Sequence, residues 1–484
     1  MRATYALLSV TALLGSACSS SDSSSAPSVT VSTPGDSTAA PPTDAPTTAA
    51  PTTVADSTTV AETTTTVAVG PADFTGDGAY AAGVRTISLG DRKMEVWYPV
   101  DPELVVGLDT EIFDQLSVFP DSLKPLIPAE LQGELDTGTF RDAPAFAGEE
   151  AFPVVVYSHG FGGYRQVATN FTRHLAQWGY VVISIDHLER GLAAQATGTL
   201  GGGLPDQDVV DVSNGLAAIG DDAELSGLVD LDRVIITGHS AGAGTSARAA
   251  NALDEIMAFV SISGGTPVTT EGDGTGIRGV SSDLPNGVYE FTIDAVSDAA
   301  LTITADGVST DVPRDDLTFD AFGSSLTLFA VAPASGATGP EFAPGVVSFT
   351  VAAPIKPGLV IASELDQVVP ATRSRALFEA MTGDKWFAEI AKGGHNSFTD
   401  SCVGIRELGG LGALTALLGE AQVKRAEDGC TDAFADPLQV QAVLDQYVVA
   451  FLRTQFGQPV DPSALTAAAI AGIGEVSLVA FEQG

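Results

Sequence analysis

Five short, continuous apolar runs constrain this chain more than any other feature of its sequence. They are Phe152–Ser158 (FPVVVYS), Tyr180–Ile185 (YVVISI), Arg233–Thr237 (RVIIT), Ala258–Ser263 (AFVSIS) and Gly358–Ser363 (GLVIAS). A strand with one wet face alternates apolar and polar residues, whereas a strand covered on both faces reads as an unbroken apolar run. Helical patterns lie between most of the runs, for instance Gln166–Trp178 and Thr245–Leu253. The expectation is an α/β fold, a mostly parallel sheet with helices on both faces. In such sheets ligands bind beyond the carboxyl ends of the strands. Ahead of the runs, Arg85–Leu89 and Met94–Tyr98 read as a hairpin turned by Gly90 and Asp91. An irregular, proline-bearing segment, Asp101–Glu150, follows.

The rhythm breaks between Ser263 and Lys356. Period-2 strands are expected there at Val288–Ile293, Leu301–Thr304, Leu326–Val331 and Val346–Val351, with turn signals at Pro285-Asn286-Gly287 and Asp306-Gly307. This is an all-β insertion, residues 266–353, dividing a core of residues 71–265 and 354–484. Phe319, Phe322, Phe329, Phe342 and Phe349 supply either its own core or a substrate-facing lid.

The first residues carry an address. Arg2, the apolar run Tyr5–Leu14 and the small residues Gly15, Ser16 and Ala17 ahead of Cys18 read as an export signal over residues 1–17. The small triplet before a cysteine resembles the bacterial lipoprotein signal, which implies a lipid anchor on Cys18 and a cell-surface location; secretion into the medium is the alternative. From Ser19 to Gly70, 39 of 52 residues are Ser, Thr, Pro or Ala, and none is aromatic. Such composition cannot bury enough apolar surface to offset its ordering entropy, so residues 18–70 are expected to be a tether. Its mean reach is roughly 40 Å. The whole chain of 484 residues has a net charge of −39, of which residues 19–70 carry five acids and no Lys or Arg. A surface that acidic repels phosphate backbones, which excludes nucleic acid as a partner, and it favours a soluble monomer. Contact with a membrane is expected only through the lipid.

The chemistry is announced by Gly238-His239-Ser240-Ala241-Gly242. A serine between small residues, directly after a strand and before a helix-compatible stretch, fits the strained elbow that exposes a nucleophilic hydroxyl. A serine hydroxyl needs a histidine base, and the chain has five histidines: His159, His174, His187, His239 and His395. His239 sits inside the elbow with its side chain expected to point elsewhere. His174 falls in a helix, His187 follows a strand end, and His159 is expected to pack under its loop. His395, in a Gly393-Gly394 loop after the strand-like Trp386–Ala391, lies where chain order places the base. Asp366, just past the Gly358–Ser363 strand, is the expected acid, with Glu364 as the alternative. The glycine-rich Ser158–Gly163 turn and the elbow suggest the amides of Phe161 and Ala241 as oxyanion donors.

These residues, taken with Thr139–Pro144, Phe152–Gly163, Gly179–Val182, Asp186-His187, Asp230–Arg233 and Lys356–Leu359, carry a family resemblance. The chain resembles the α/β-hydrolases of the platelet-activating factor acetylhydrolase type, kin of dienelactone hydrolases and bacterial polyester hydrolases. The resemblance implies the α/β-hydrolase fold and a serine carboxylester hydrolase with Ser240, Asp366 and His395 at its triad positions, needing neither metal nor cofactor. The implied partner is an ester, whether a small molecule, a lipid or a polyester. A lipase or polyester hydrolase with the same triad, its cleft bordered by the insertion or by Tyr164 and Trp178, is one alternative. A surface binding lipoprotein with a vestigial core is another. Cys402 and Cys430, an even pair in an exported head, are expected to form a disulfide closing a loop of about 29 residues.

Overall fold

The computed structural model describes residues 72–122, 124–127, 134–148, 150–197, 206–271, 274–314, 316–330, 342–412, 415 and 420–484. The export signal, Cys18 and the tether lie outside them. Ten strands form the central sheet. They are β1 (Ala81–Leu89), β2 (Arg92–Val100), β3 (Phe140–Arg141), β4 (Phe152–Ser158), β5 (Val181–Ile185), β6 (Val229–His239), β7 (Ile256–Ile262), β8 (Gly358–Ser363), β9 (Lys385–Ile390) and β10 (Leu478–Gln483). Their order is β10-β9-β8-β7-β6-β4-β5-β2-β1-β3. The run from β5 through β9 is parallel, and β2 and β10 flank it antiparallel.

The apolar runs are continuous because both faces of the sheet are covered. Val155, Tyr157, Ile235 and Ile361 face one core with the helices Thr169–Gln177 and Pro437–Gln455. Val154, Val156, Ile236 and Val360 face the other, with the helices Gln207–Asp221, Ala241–Ala252 and Ala371–Ala380. Successive side chains on a strand point to opposite faces, so apolar residues predominate at both sets of positions. The hairpin forms as expected and is longer at both ends, Ala81 pairing with Val100.

Among the described residues the insertion is all-β. A five-stranded and a three-stranded antiparallel sheet run from Val268 to Val351, adding strands Val268–Glu271, Ile277–Ser281, Val308–Pro313 and Thr318–Ala321 to the four expected. Phe319 and Phe349 join Phe291, Ile293 and Val347 in a core of its own, with Phe322 and Phe342 packed against it. The side chain of Phe329 lies outside the description. Among the described residues, hydrogen bonds between the insertion and the central α/β core run from Asn286 to Ala380, from Arg373 to Thr327 and from Asn251 to Ala352. The insertion therefore rests on the helices Ala241–Ala252 and Ala371–Ala380. Among the described residues no helix is long and apolar enough to cross a membrane.

Candidate active site

At the carboxyl end of β6 the chain turns through Ser240, at φ 58° and ψ −120°, straight into the helix Ala241–Ala252. A non-glycine residue there is strained, and the surroundings hold it in place: the Ser240 amide donates to the Ile262 carbonyl on β7 at 2.9 Å. Gly242 has to be glycine, since a Cβ would lie 1.9 Å from the Ser158 carbonyl oxygen.

Ser240 Oγ lies 2.9 Å from His395 Nε2, and His395 Nδ1 lies 2.8 Å from Asp366 Oδ2. The residues come from three strand ends, 155 and 29 positions apart. Asp366 fixes the tautomer, because its carboxylate accepts from Nδ1–H and leaves the Nε2 lone pair to face the serine hydroxyl. Asp366 Oδ1 is itself held by the amides of Val368 (2.9 Å) and Val369 (2.7 Å). Burial works against the Asp366 carboxylate. The His395 imidazole and these amides outweigh burial and bring its pKa below the usual value. Glu364 is exposed and accepts from the Lys392 amide, so the imidazole faces Asp366 and not the alternative acid.

The glycine-rich Ser158–Gly163 turn lies against the elbow: a Cβ on Gly160 would come within 3.1 Å of Ser240 Cβ. The amides of Phe161 and Ala241 donate to no acceptor among the described residues. An oxyanion requires amides that are not already paired. The hairpin of Ile112–Asp114 and Glu134–Asp136 flanks this turn, Phe113 and Leu135 packing with Tyr164 and Leu192. Trp178 does not border the cleft. It ends the helix Thr169–Gln177 just before β5 begins, at the amino ends of the strands and away from the carboxyl ends that carry Ser240, and it packs edge-on against Phe74.

His239 is more closely involved than the sequence suggested. Its side chain turns away from Ser240 and donates through Nε2 to the His395 carbonyl at 2.8 Å. Burial, reinforced by His395, pushes its pKa down to about 3, so it adds no positive charge beside the base. His174 is buried and pairs with the Phe74 carbonyl. His159 does pack under its loop, accepting from the His187 amide.

A second Ser–His–Asp set escaped the sequence reading. Ser158 Oγ lies 2.9 Å from His187 Nε2, and His187 Nδ1 lies 2.9 Å from Asp211 Oδ2. All three are buried, and Ser158 is 0% exposed. Arg190 binds this set from beneath, donating to Ser158 Oγ and the His159 carbonyl, and to Asp208 and Thr245. The Arg190 carbonyl accepts from the Gly162 amide, so the same residue ties down the Ser158–Gly163 turn. Cys402 and Cys430 form the expected disulfide. Among the described residues no group of three or more His, Cys, Asp or Glu is placed to hold a metal ion.

Two family models match the chain. That of the alpha/beta hydrolase family covers residues 154–404, more than half of it. That of platelet-activating factor acetylhydrolase, isoform II, covers residues 87–201. The chain belongs to the alpha/beta hydrolase family. Within it, the protein is a carboxylic ester hydrolase. Among solved structures, a ferulic acid esterase from Streptomyces cinnamoneus is similar at 16% identity and a TM-score of 0.48, the match covering 83% of this chain and 97% of that one.

Proposed function

We propose that the protein is an exported serine esterase working through an acyl-enzyme, with Ser240 as nucleophile, His395 as general base and acid, and Asp366 as the orienting carboxylate. The observation that carries this reading is the continuous chain from Ser240 Oγ to His395 to Asp366, at 2.9 and 2.8 Å, on a strained elbow. Ser240 attacks the ester carbonyl as its proton passes to His395 Nε2. The Phe161 and Ala241 amides receive the oxyanion, and the imidazolium returns the proton to the departing alkoxide. Water, activated by the same nitrogen, then releases the acid. The neutral His239 holds the His395 backbone from behind without competing for the proton.

Export through the N-terminal signal, with lipid attachment at Cys18 and a tether of about 50 residues, places this activity at the cell surface. The test is mass spectrometry of the intact protein after treatment with a fluorophosphonate. A single phosphonyl adduct is expected, mapping to Ser240 and absent from Ser240→Ala. Hydrolysis of a short p-nitrophenyl ester that survives Ser240→Ala would sink the assignment. Metabolic labelling with an alkyne palmitate, lost in Cys18→Ser, tests the anchor separately.

A further inference from the structure

Behind the histidine loop runs a segment that the proposed chemistry does not use. Residues 425–430 lie against residues 395–397. Asn396 donates its amide to the Asp428 carbonyl at 2.8 Å and its side chain to the Arg425 carbonyl at 2.9 Å, and Ser397 Oγ donates to the Gly429 carbonyl at 3.2 Å. The centre of this segment is the buried side chain of Asp428. Its Oδ2 accepts from the amide of Gln367, the residue after the acid, at 2.8 Å, and its Oδ1 accepts from the amide of His395 itself at 3.3 Å. One carboxylate thus spans the two loops that carry Asp366 and His395. Two residues on, Cys430 is bonded to Cys402 in the helix that follows the histidine loop. The pair packs with Ile405, Leu411, Val423 and Ala426.

We propose that Asp428 is a positioning residue of the esterase site, setting the separation and orientation of Asp366 and His395 through one amide from each loop, and that the Cys402–Cys430 disulfide holds the segment that delivers it. This rests on the Ser240–His395–Asp366 reading. A carboxylate is suited to the task because it accepts on both oxygens. An amide in its place accepts on one and presents N–H groups to a second donor. Burial pushes the Asp428 carboxyl up and the Gln367 amide opposes that; the neighbouring Asp366 adds to the rise and His395 opposes it. The loops also meet directly, Leu365 N–H on the Gly393 carbonyl at 2.9 Å, so the loss of Asp428 misaligns the site without releasing it.

The experiment compares Asp428→Asn, Cys402→Ser/Cys430→Ser and the triple variant, each assayed well below its melting temperature on a short p-nitrophenyl ester and for the rate of phosphonylation of Ser240. Asp428→Asn is expected to lower kcat by about 10- to 100-fold with KM changed by less than about threefold, because small misplacements of catalytic groups act on the chemical step. Labelling slows in parallel. The double cysteine variant lowers kcat in the same sense. In the triple variant the losses are smaller than the product of the two, since both act on one segment. A folded Asp428→Asn with wild-type kcat, or with a change in KM alone, overturns the role of Asp428. Multiplicative losses overturn the disulfide's part, and if Asp428→Asn does not fold, wild-type kcat in the cysteine variant overturns the proposal. Failure of the wild type to label at Ser240 is a different result and sinks the triad reading itself.

Discussion

Two Ser–His–Asp arrangements stand within the same sheet end, with nearly the same distances and opposite surroundings. Ser240 is partly exposed on a strained turn, beside two amides that have no acceptor among the described residues. Ser158 ends a regular strand, is fully buried, and its oxygen is already occupied by the Arg190 guanidinium. The carboxylates differ as well. Asp366 is brought below its usual pKa, whereas burial lifts Asp211 to about 6 against the Gln207 side chain and Arg92, with Glu189 and Asp208 adding to the rise. A hydrogen-bonded triplet therefore does not define a catalytic site. Access for a substrate and donors left free for the charge that develops do so.

The comparison can be broken at several points. Ser240→Ala is expected to lower kcat by on the order of 10⁴- to 10⁶-fold with the fold intact, checked by ester hydrolysis and circular dichroism. Asp366→Asn follows, at about 10⁴-fold, through the wrong imidazole tautomer. Asp211→Asn is not expected to approach that loss, and comparable kinetics for the two variants would erase the distinction drawn here. Arg190→Met lies between, at about 10- to 100-fold in kcat, because the turn bearing Phe161 loses the guanidinium's bonds to Ser158 Oγ and the His159 carbonyl at its base while keeping the backbone bond to Gly162. Binding of a boronic acid that mimics the tetrahedral intermediate should weaken in step. Ser158→Ala is expected to change kcat by less than about tenfold while lowering stability by about 1–3 kcal/mol, since His187 and Arg190 each lose a buried partner.

The smallest effect is on pH dependence. A carboxyl whose pKa is raised on folding contributes stability that is complete below about pH 4 and is lost as pH rises through its folded value. For Asp211 that window is about pH 4 to 6. Asp366 acts in the opposite sense, contributing above about pH 4 and losing its contribution as pH falls. Asp211→Asn should therefore make the slope of melting temperature against pH more positive than that of the wild type between about pH 4 and 6, and an unchanged slope in thermal melts would contradict this contribution of Asp211.

The catalytic candidates were legible because their signals are local or ordered along the chain. The elbow needs Gly242 within two residues of Ser240, and strand ends supply the acid and base in sequence order. The Ser158 set was not legible: Asp211 lies inside an ordinary amphipathic helix, and nothing in its neighbours indicates that His187 faces it. Asp428 was missed for the same reason, since its partners are backbone amides 61 and 33 residues away. The helix Pro437–Gln455 carried a signal that passed unread, Asp436 capping the Leu438 amide ahead of Pro437 at the first turn. The antiparallel edge strand Leu478–Gln483 had none comparable.

By itself the sequence determined a parallel sheet covered on both faces, an elbow serine and a β insertion, because periodicity, small residues and turn chemistry act over a few positions. Only the tertiary structure decided which histidine meets which carboxylate, that the insertion rests on the helices Ala241–Ala252 and Ala371–Ala380, and that one of two similar triplets is sealed while the other is open. Those outcomes depend on side chains brought within 3 Å from far along the chain and on what covers them. No local pattern encodes either.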